Sequence, residues 1–177
     1  MAELEVRRHA QRSDQSDEQS GLSDDGRAMC VRVAQTVPPY ALVVASPLPR
    51  ATETARLIGR RLDSVDPALL PELHGLPFGF WNGLEELADY VRLARSHHGA
   101  RRLAEEQASL WAAFASRLSG AERALAVSHG AVIELGAIAL AQRLKAALGG
   151  PVFGYCEGVV ATFQSGVPTR IELLRVT

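Results

Sequence analysis

The spacing of hydrophobic and polar positions changes along this chain in a way that separates strands from helices. "LEVRRH" (4–9) alternates Leu4 and Val6 with polar residues and predicts a first strand. "AQRSDQSDEQSG" (10–21) has no apolar period and reads as a turn-rich loop. "LSDDGRAMCVRVAQTV" (22–37) sets Ala28, Val31 and Ala34 on one helical face, with Ser23 as N-cap and Pro38-Pro39 as the stop. "ALVVAS" (41–46) is the continuous apolar run of a buried parallel strand. "SPLPRATETARLIGRRL" (46–62) predicts a second helix, its prolines in the opening turn where no amide donor is lost. From Ser64 to Gly83 the pattern breaks into proline, glycine and aromatics. "LEELADYVRLARSHHG" (84–99) and "ARRLAEEQASLWAAFASRLSG" (100–120) are two amphipathic helices. "RALAVSH" (123–129) predicts another strand, and "GAVIELGAIALAQRLKAALG" (130–149) a helix directly after it. The tail "GVVATFQSGVPTRIELLRV" (158–176) predicts two strands joined by a Gly166-Val167-Pro168 turn.

Strands alternating with helices predict an α/β fold, a three-layer sandwich whose central sheet is mainly parallel and flanked by helices. Residues 1–177 read as a single domain, with an insert over roughly 64–122 lying above the carboxyl ends of the strands. In such sheets ligands bind beyond those ends, and the charged residues gather there. The first strand ends in Arg8-His9, the second leads into Arg50, and the later one ends at His129. If the strands are parallel, two histidines and two arginines converge. The start of a helix presents free amides, and arginine adds bidentate hydrogen bonds, so the constellation prefers an anion, with phosphate foremost. A neutral imidazole among such groups can attack phosphorus and form a covalent intermediate.

Composition narrows the alternatives. The net charge is −1, which gives no whole-chain basic field for nucleic acid. The most apolar stretch, "AVIELGAIALAQRL", is too short for a membrane span and is interrupted by Glu134 and Arg143. The N-terminus has no apolar signal region, and Cys30 and Cys156 are the only cysteines, so a reducing cytoplasm is expected. Arginines beside the histidines repel a metal cation, and neither a metal nor an organic cofactor is expected. His97-His98 read as a helix cap, His74 as a loop residue and Cys30 as a small core hydrophobe. Ser128 has no acid at triad spacing to make it a nucleophile. Glu5 and Arg7 are unusual on a central strand, and either their face is partly open or the two pair.

The chain resembles the histidine phosphatase superfamily, the phosphoglycerate mutase-like family. The family triplet R-H-G is matched by Arg8-His9-Ala10, and its L-[ST]-x-x-G helix opening by "LSDDG" at 22–26. S-x-L-x-R-A-x-x-T-A is matched by "SPLPRATETA" from Ser46 to Ala55, and S-H-G by Ser128-His129-Gly130. The resemblance implies that His9 is the transiently phosphorylated nucleophile and that Arg8, Arg50 and His129 hold the phosphoryl oxygens. "LPELHGLPFGFWNG" resembles the segment carrying the family's proton donor, which puts Glu72 in that role, with Glu85 and Glu86 as fallbacks. Gln15, Arg12 and Gly130 are implied as further substrate contacts. Ala10 departs from the family glycine and is compatible with it if its φ is negative. The expected activity is hydrolysis of small phosphorylated metabolites with release of inorganic phosphate. A mutase-type phosphotransferase, a phosphohistidine protein phosphatase and a catalytically weak phospho-ligand-binding pseudophosphatase are the alternatives.

Overall fold

The computed structural model describes residues 1–70 and 73–176. Its centre is a six-stranded sheet in the order β3-β2-β4-β1-β5-β6. The strands are β1 (Ala2–Arg8), β2 (Leu42–Ala45), β3 (Ser64–Val65), β4 (Arg123–Ser128), β5 (Gly158–Gln164) and β6 (Val167–Leu174). The first four are mutually parallel, whereas β5 and β6 run antiparallel at one side.

Alternation along each strand sends successive side chains into opposite layers. Leu42 and Val44 of β2 and Ala124 and Ala126 of β4 join one core; Val43, Ala45, Leu125 and Val127 join the other. The first core is closed by α3 (Leu87–Ser96), α4 (His98–Ala115) and α5 (Val132–Arg143). The second is closed by α1 (Asp24–Thr36) and α2 (Pro49–Gly59). Ser23 caps α1 by accepting from the Gly26 amide at 3.0 Å. His97 joins α3 to α4, its Nδ1 accepting from the Gly99 amide at 3.1 Å. Cys30 lies in the second core with Cys156.

Three local expectations change. The face α1 buries is Gly26, Cys30, Val33 and Ala34, whereas Ala28 and Val31 are exposed. The stretch after Ser64 holds β3 and a short 3-10 turn, Pro67–Leu69, capped by Asp66. The hairpin turn is Ser165-Gly166, both with positive φ (51° and 77°), and not Gly166-Val167-Pro168. Val167 and Pro168 instead open β6, an edge strand where a missing amide is tolerated. Among the described residues no helix is long and apolar enough to cross a membrane.

Candidate active site

The parallel register aligns three strand ends. Arg8 pairs with Ser128 and Ala45 with Val127, so β1, β4 and β2 finish side by side. The backbone carries this alignment one residue further. The His9 amide donates to the Ser128 carbonyl at 3.0 Å, and the Ser46 amide to that of Val127 at 3.0 Å. The "SPLPRATETA" block then ties the ends together through three side chains. Ser46 Oγ lies 2.5 Å from His129 Nε2. Arg50 Nε donates to His9 Nε2 at 3.2 Å, and Thr54 Oγ1 accepts from the Ala10 amide at 3.0 Å. Arg50 and Thr54, four apart on α2, share a face, and Ser46 reaches the same loops from the end of β2 just before the helix.

His9 is held in one tautomer. Its Nδ1 is 2.7 Å from the Ala10 carbonyl, which can only accept, so Nδ1 carries the proton. Nε2 is left with its lone pair, facing the Arg50 guanidinium. Burial depresses the His9 pKa to about 3, against the backbone hydrogen bond to Ala10, and Arg50, Arg8 and Arg12 lower it further. His129, its ring centroid 5.2 Å from that of His9, is likewise pushed below the ordinary imidazole range by burial. Ser46 Oγ and His129 Nε2 share one hydrogen bond, and His129 Nδ1 is buried and has no protein partner. Ala10 is fully buried and is not among the residues with positive φ, which is why an alanine fits at this position.

Arg8 crosses the backbone of Gly130, where an added Cβ would stand 3.3 Å from its Cζ. Its Nη1 donates to the Phe153 carbonyl at 2.7 Å, and its guanidinium lies 5.0 Å from the Tyr155 ring centre. Its Nε is buried with no protein partner. Arg50 completes its contacts on Glu18, donating to the carbonyl at 2.9 Å and to Oε2 at 2.8 Å. Glu18 also pairs with Arg12 at 3.1 Å, and these two arginines lower its pKa.

These groups line a cleft of about 260 Å³. The structure gathers His9, Arg8, Arg50, His129, Arg12, Gln15 and Gly130 there. Gln15 lies at 3.4 Å from the Tyr155 hydroxyl. Glu72 lies outside the described residues. Glu85 and Glu86 do not line the cleft, and Glu86 caps α3 in a capping box with Asp89. His74 pairs with Glu106 at 2.7 Å. A wider groove of about 920 Å³ along α4 contains none of the strand-end residues. Sequence reasoning had not assigned Glu18, Tyr90, Tyr155 or Glu134 to the cleft. Glu134 carried the clearest signal, a lone carboxylate within an apolar helix just after His129. Among the described residues no cluster of three or more His, Cys, Asp and Glu gathers to hold a metal ion.

Comparison with known proteins places this geometry. A phosphoserine phosphatase from Entamoeba histolytica, solved with 3-phosphoglyceric acid, shares the fold at TM-score 0.72 and 19% identity, covering 99% of this chain and 98% of its own. A mycobacterial glucosyl-3-phosphoglycerate phosphatase is 25% identical at TM-score 0.58, covering 97% of this chain and 96% of its own. The same mycobacterial enzyme has also been solved with inorganic phosphate, at 25% identity, TM-score 0.56 and coverage of 97% and 94%. A search of curated protein sequences returned no match. The family model of the histidine phosphatase superfamily (branch 1) matches residues 5–173, and the chain belongs to that family.

Proposed function

We propose that this chain is a metal-independent phosphatase that hydrolyses phosphate monoesters through a phosphohistidine on His9. The observation that carries the reading is His9 itself: a neutral ring, fixed by the Ala10 carbonyl so that Nε2 is unprotonated, its lone pair meeting Arg50 in an arginine-lined cleft. The Nε2 lone pair forms the N–P bond as the bond from phosphorus to the alcohol oxygen breaks. Arg8, Arg50 and His129 hold the phosphoryl oxygens and stabilise the charge that spreads over them. By its resemblance to the family segment, Glu72 gives the leaving oxygen its proton and then takes one from the water that cleaves the N–P bond. Three arginines around the two histidines disfavour a bound metal cation.

The substrate in this reading is a small phosphorylated metabolite and the product inorganic phosphate, in line with the phosphate complex of the mycobacterial relative. The same reading takes residues 1–177 as one domain acting in the cytoplasm, consistent with one sheet built from both ends of the chain and with two free buried cysteines. The test is hydrolysis of 4-nitrophenyl phosphate by the wild type and by His9→Ala. The variant is expected to lose roughly a thousandfold or more of kcat, and the quenched wild type to carry an acid-labile phosphoryl group. Equal rates from both proteins would remove the covalent mechanism.

A further inference from the structure

The cleft has two chemically different sides. Its cations, Arg8, Arg12 and Arg50, stand with His9 and His129. The other side is made by Trp81, Leu84, Tyr90, Val152 and Tyr155, together with Glu134 from the first turn of α5. Among the described residues of that side there is no lysine, arginine or histidine. Nor are the arginines free to serve a second anion. Arg8 is fixed by Phe153 and Tyr155, and Arg12 donates within its own loop to Gln15, Asp17 and Glu18.

Glu134 is 1% exposed. Its Oε1 accepts from the Phe153 amide at 2.9 Å, while Oε2 is buried with no protein partner. An unpaired acceptor at a ligand cleft calls for a donor. A carboxylate or second phosphate on the substrate would meet it with its water stripped away, and the one cation that acts on Glu134, Arg8, is already bonded to the Phe153 carbonyl and turned to the phosphoryl side. A hydroxyl or amide would satisfy it, and an apolar or aromatic body would pack on Trp81, Leu84 and Val152.

We propose that this cleft selects phosphate monoesters whose alcohol is uncharged, with an apolar or aromatic body, and that Glu134 discriminates against a second anionic group on the substrate. The inference rests on the phosphatase reading above. Such a preference separates this chain from the Entamoeba relative, whose bound 3-phosphoglyceric acid carries a carboxylate.

The test compares benzyl phosphate with 4-carboxybenzyl phosphate, which keep the leaving oxygen similar and differ in one charge. The wild type is expected to favour the neutral ester by roughly tenfold or more in kcat/KM. Glu134→Gln keeps an acceptor for the Phe153 amide and is expected to narrow that ratio to within about threefold. Val152→Lys, which adds a cation to the same side away from the buried position, should raise kcat/KM for the carboxylated ester. Equal kcat/KM for the two esters in the wild type overturns the substrate class, and an unchanged ratio in Glu134→Gln overturns the role of Glu134. Calorimetric binding of both esters to His9→Ala separates this inference from the phosphatase reading. Preference there without wild-type turnover sinks the reading alone; no preference, or no binding, sinks the inference.

Discussion

Arg7 and Arg8 are neighbours on β1, and they illustrate two fates of a buried charge. Arg7 points into the layer of α1 and α2, where it meets Glu5 at 2.7 Å and the Cys156 carbonyl at 2.8 Å. Glu5 is in turn bonded by the Tyr40 hydroxyl at 2.8 Å and by Arg123 at 3.0 Å, and Arg123 pairs with Glu3 as well. That network is closed on itself. Arg8 points the other way, past Gly130, and leaves Nε without a partner in a cleft that also holds an unpartnered His129 Nδ1. Polar groups gathered in one place and left unfilled mark a ligand site, whereas charges that complete one another mark structure.

Breaking the closed side should give the largest effect. Arg7→Met leaves Glu5 buried with only part of its compensation and is expected to cost about 3 kcal/mol in urea unfolding. Its kcat/KM toward 4-nitrophenyl phosphate should match the wild type below the unfolding transition. A kinetic loss there would erase the distinction between the two arginines. On the open side the balance reverses. Arg50→Ala is expected to lower kcat/KM by about a hundredfold, through loss of charge stabilisation on the transferring group. Its urea midpoint should move less than that of Arg7→Met. Unchanged turnover in Arg50→Ala ends its assignment as a phosphoryl clamp.

The split between these two arginines was half visible in the sequence. The period-2 pattern of "LEVRRH" puts Arg7 with Glu5 and Arg8 on the other face, and it left open whether the first pair was exposed or matched. Pairing is the outcome, and Tyr40 and Arg123, far along the chain, supply what no local pattern shows. The amphipathic helices were legible because each buries one side and carries a period, and β2, β4 and α5 because they are continuous apolar runs buried on both sides. β3 was not, since two residues cannot display one. The hairpin turn was misassigned because Pro168 looked like turn chemistry, whereas it stands opposite Phe163 on an edge strand, where its missing amide is tolerated. In the site, Arg8, His9, Arg50 and His129 were legible as strand-end residues matching ordered motifs. Glu18 and Tyr155 reach the cleft from loops whose paths depend on tertiary packing.

Acid pH sharpens the comparison from the open side. His9 accepts a proton near pH 6.5 when unfolded and only near about 3 when folded, because burial disfavours its cation. As pH falls from 6.5, the unfolded state takes up the proton first. The stability tied to the neutral ring is therefore present above about pH 6.5 and is lost progressively toward 3. Between neutrality and pH 5 this amounts to about 2 kcal/mol for one such histidine. Melting curves across that range should show a shallower decline for His9→Asn than for the wild type. Identical slopes would mean that His9 titrates in the folded protein as it does in the unfolded chain.

The smallest effect concerns what fills the anion site before substrate arrives. The Glu18 carboxylate lies on both Arg50 and Arg12, at 2.8 and 3.1 Å, while its side chain keeps 60% of its surface open. It is a tethered, solvated anion on the arginine proposed to hold the phosphoryl group. In that reading phosphate displaces it, and the protein's own carboxylate competes with the ligand. An exposed ion pair contributes at most about 1 kcal/mol, so Glu18→Gln should tighten inhibition by inorganic phosphate by no more than about fivefold. The gain should shrink as salt screens the exposed pair in the wild type, so that the two inhibition constants converge at high ionic strength. Weaker phosphate inhibition in Glu18→Gln would reverse the argument: the carboxylate would then be orienting Arg50 for the phosphoryl group, and Glu18 would belong with the closed network around Arg7 and not with the unfilled donors around Arg8.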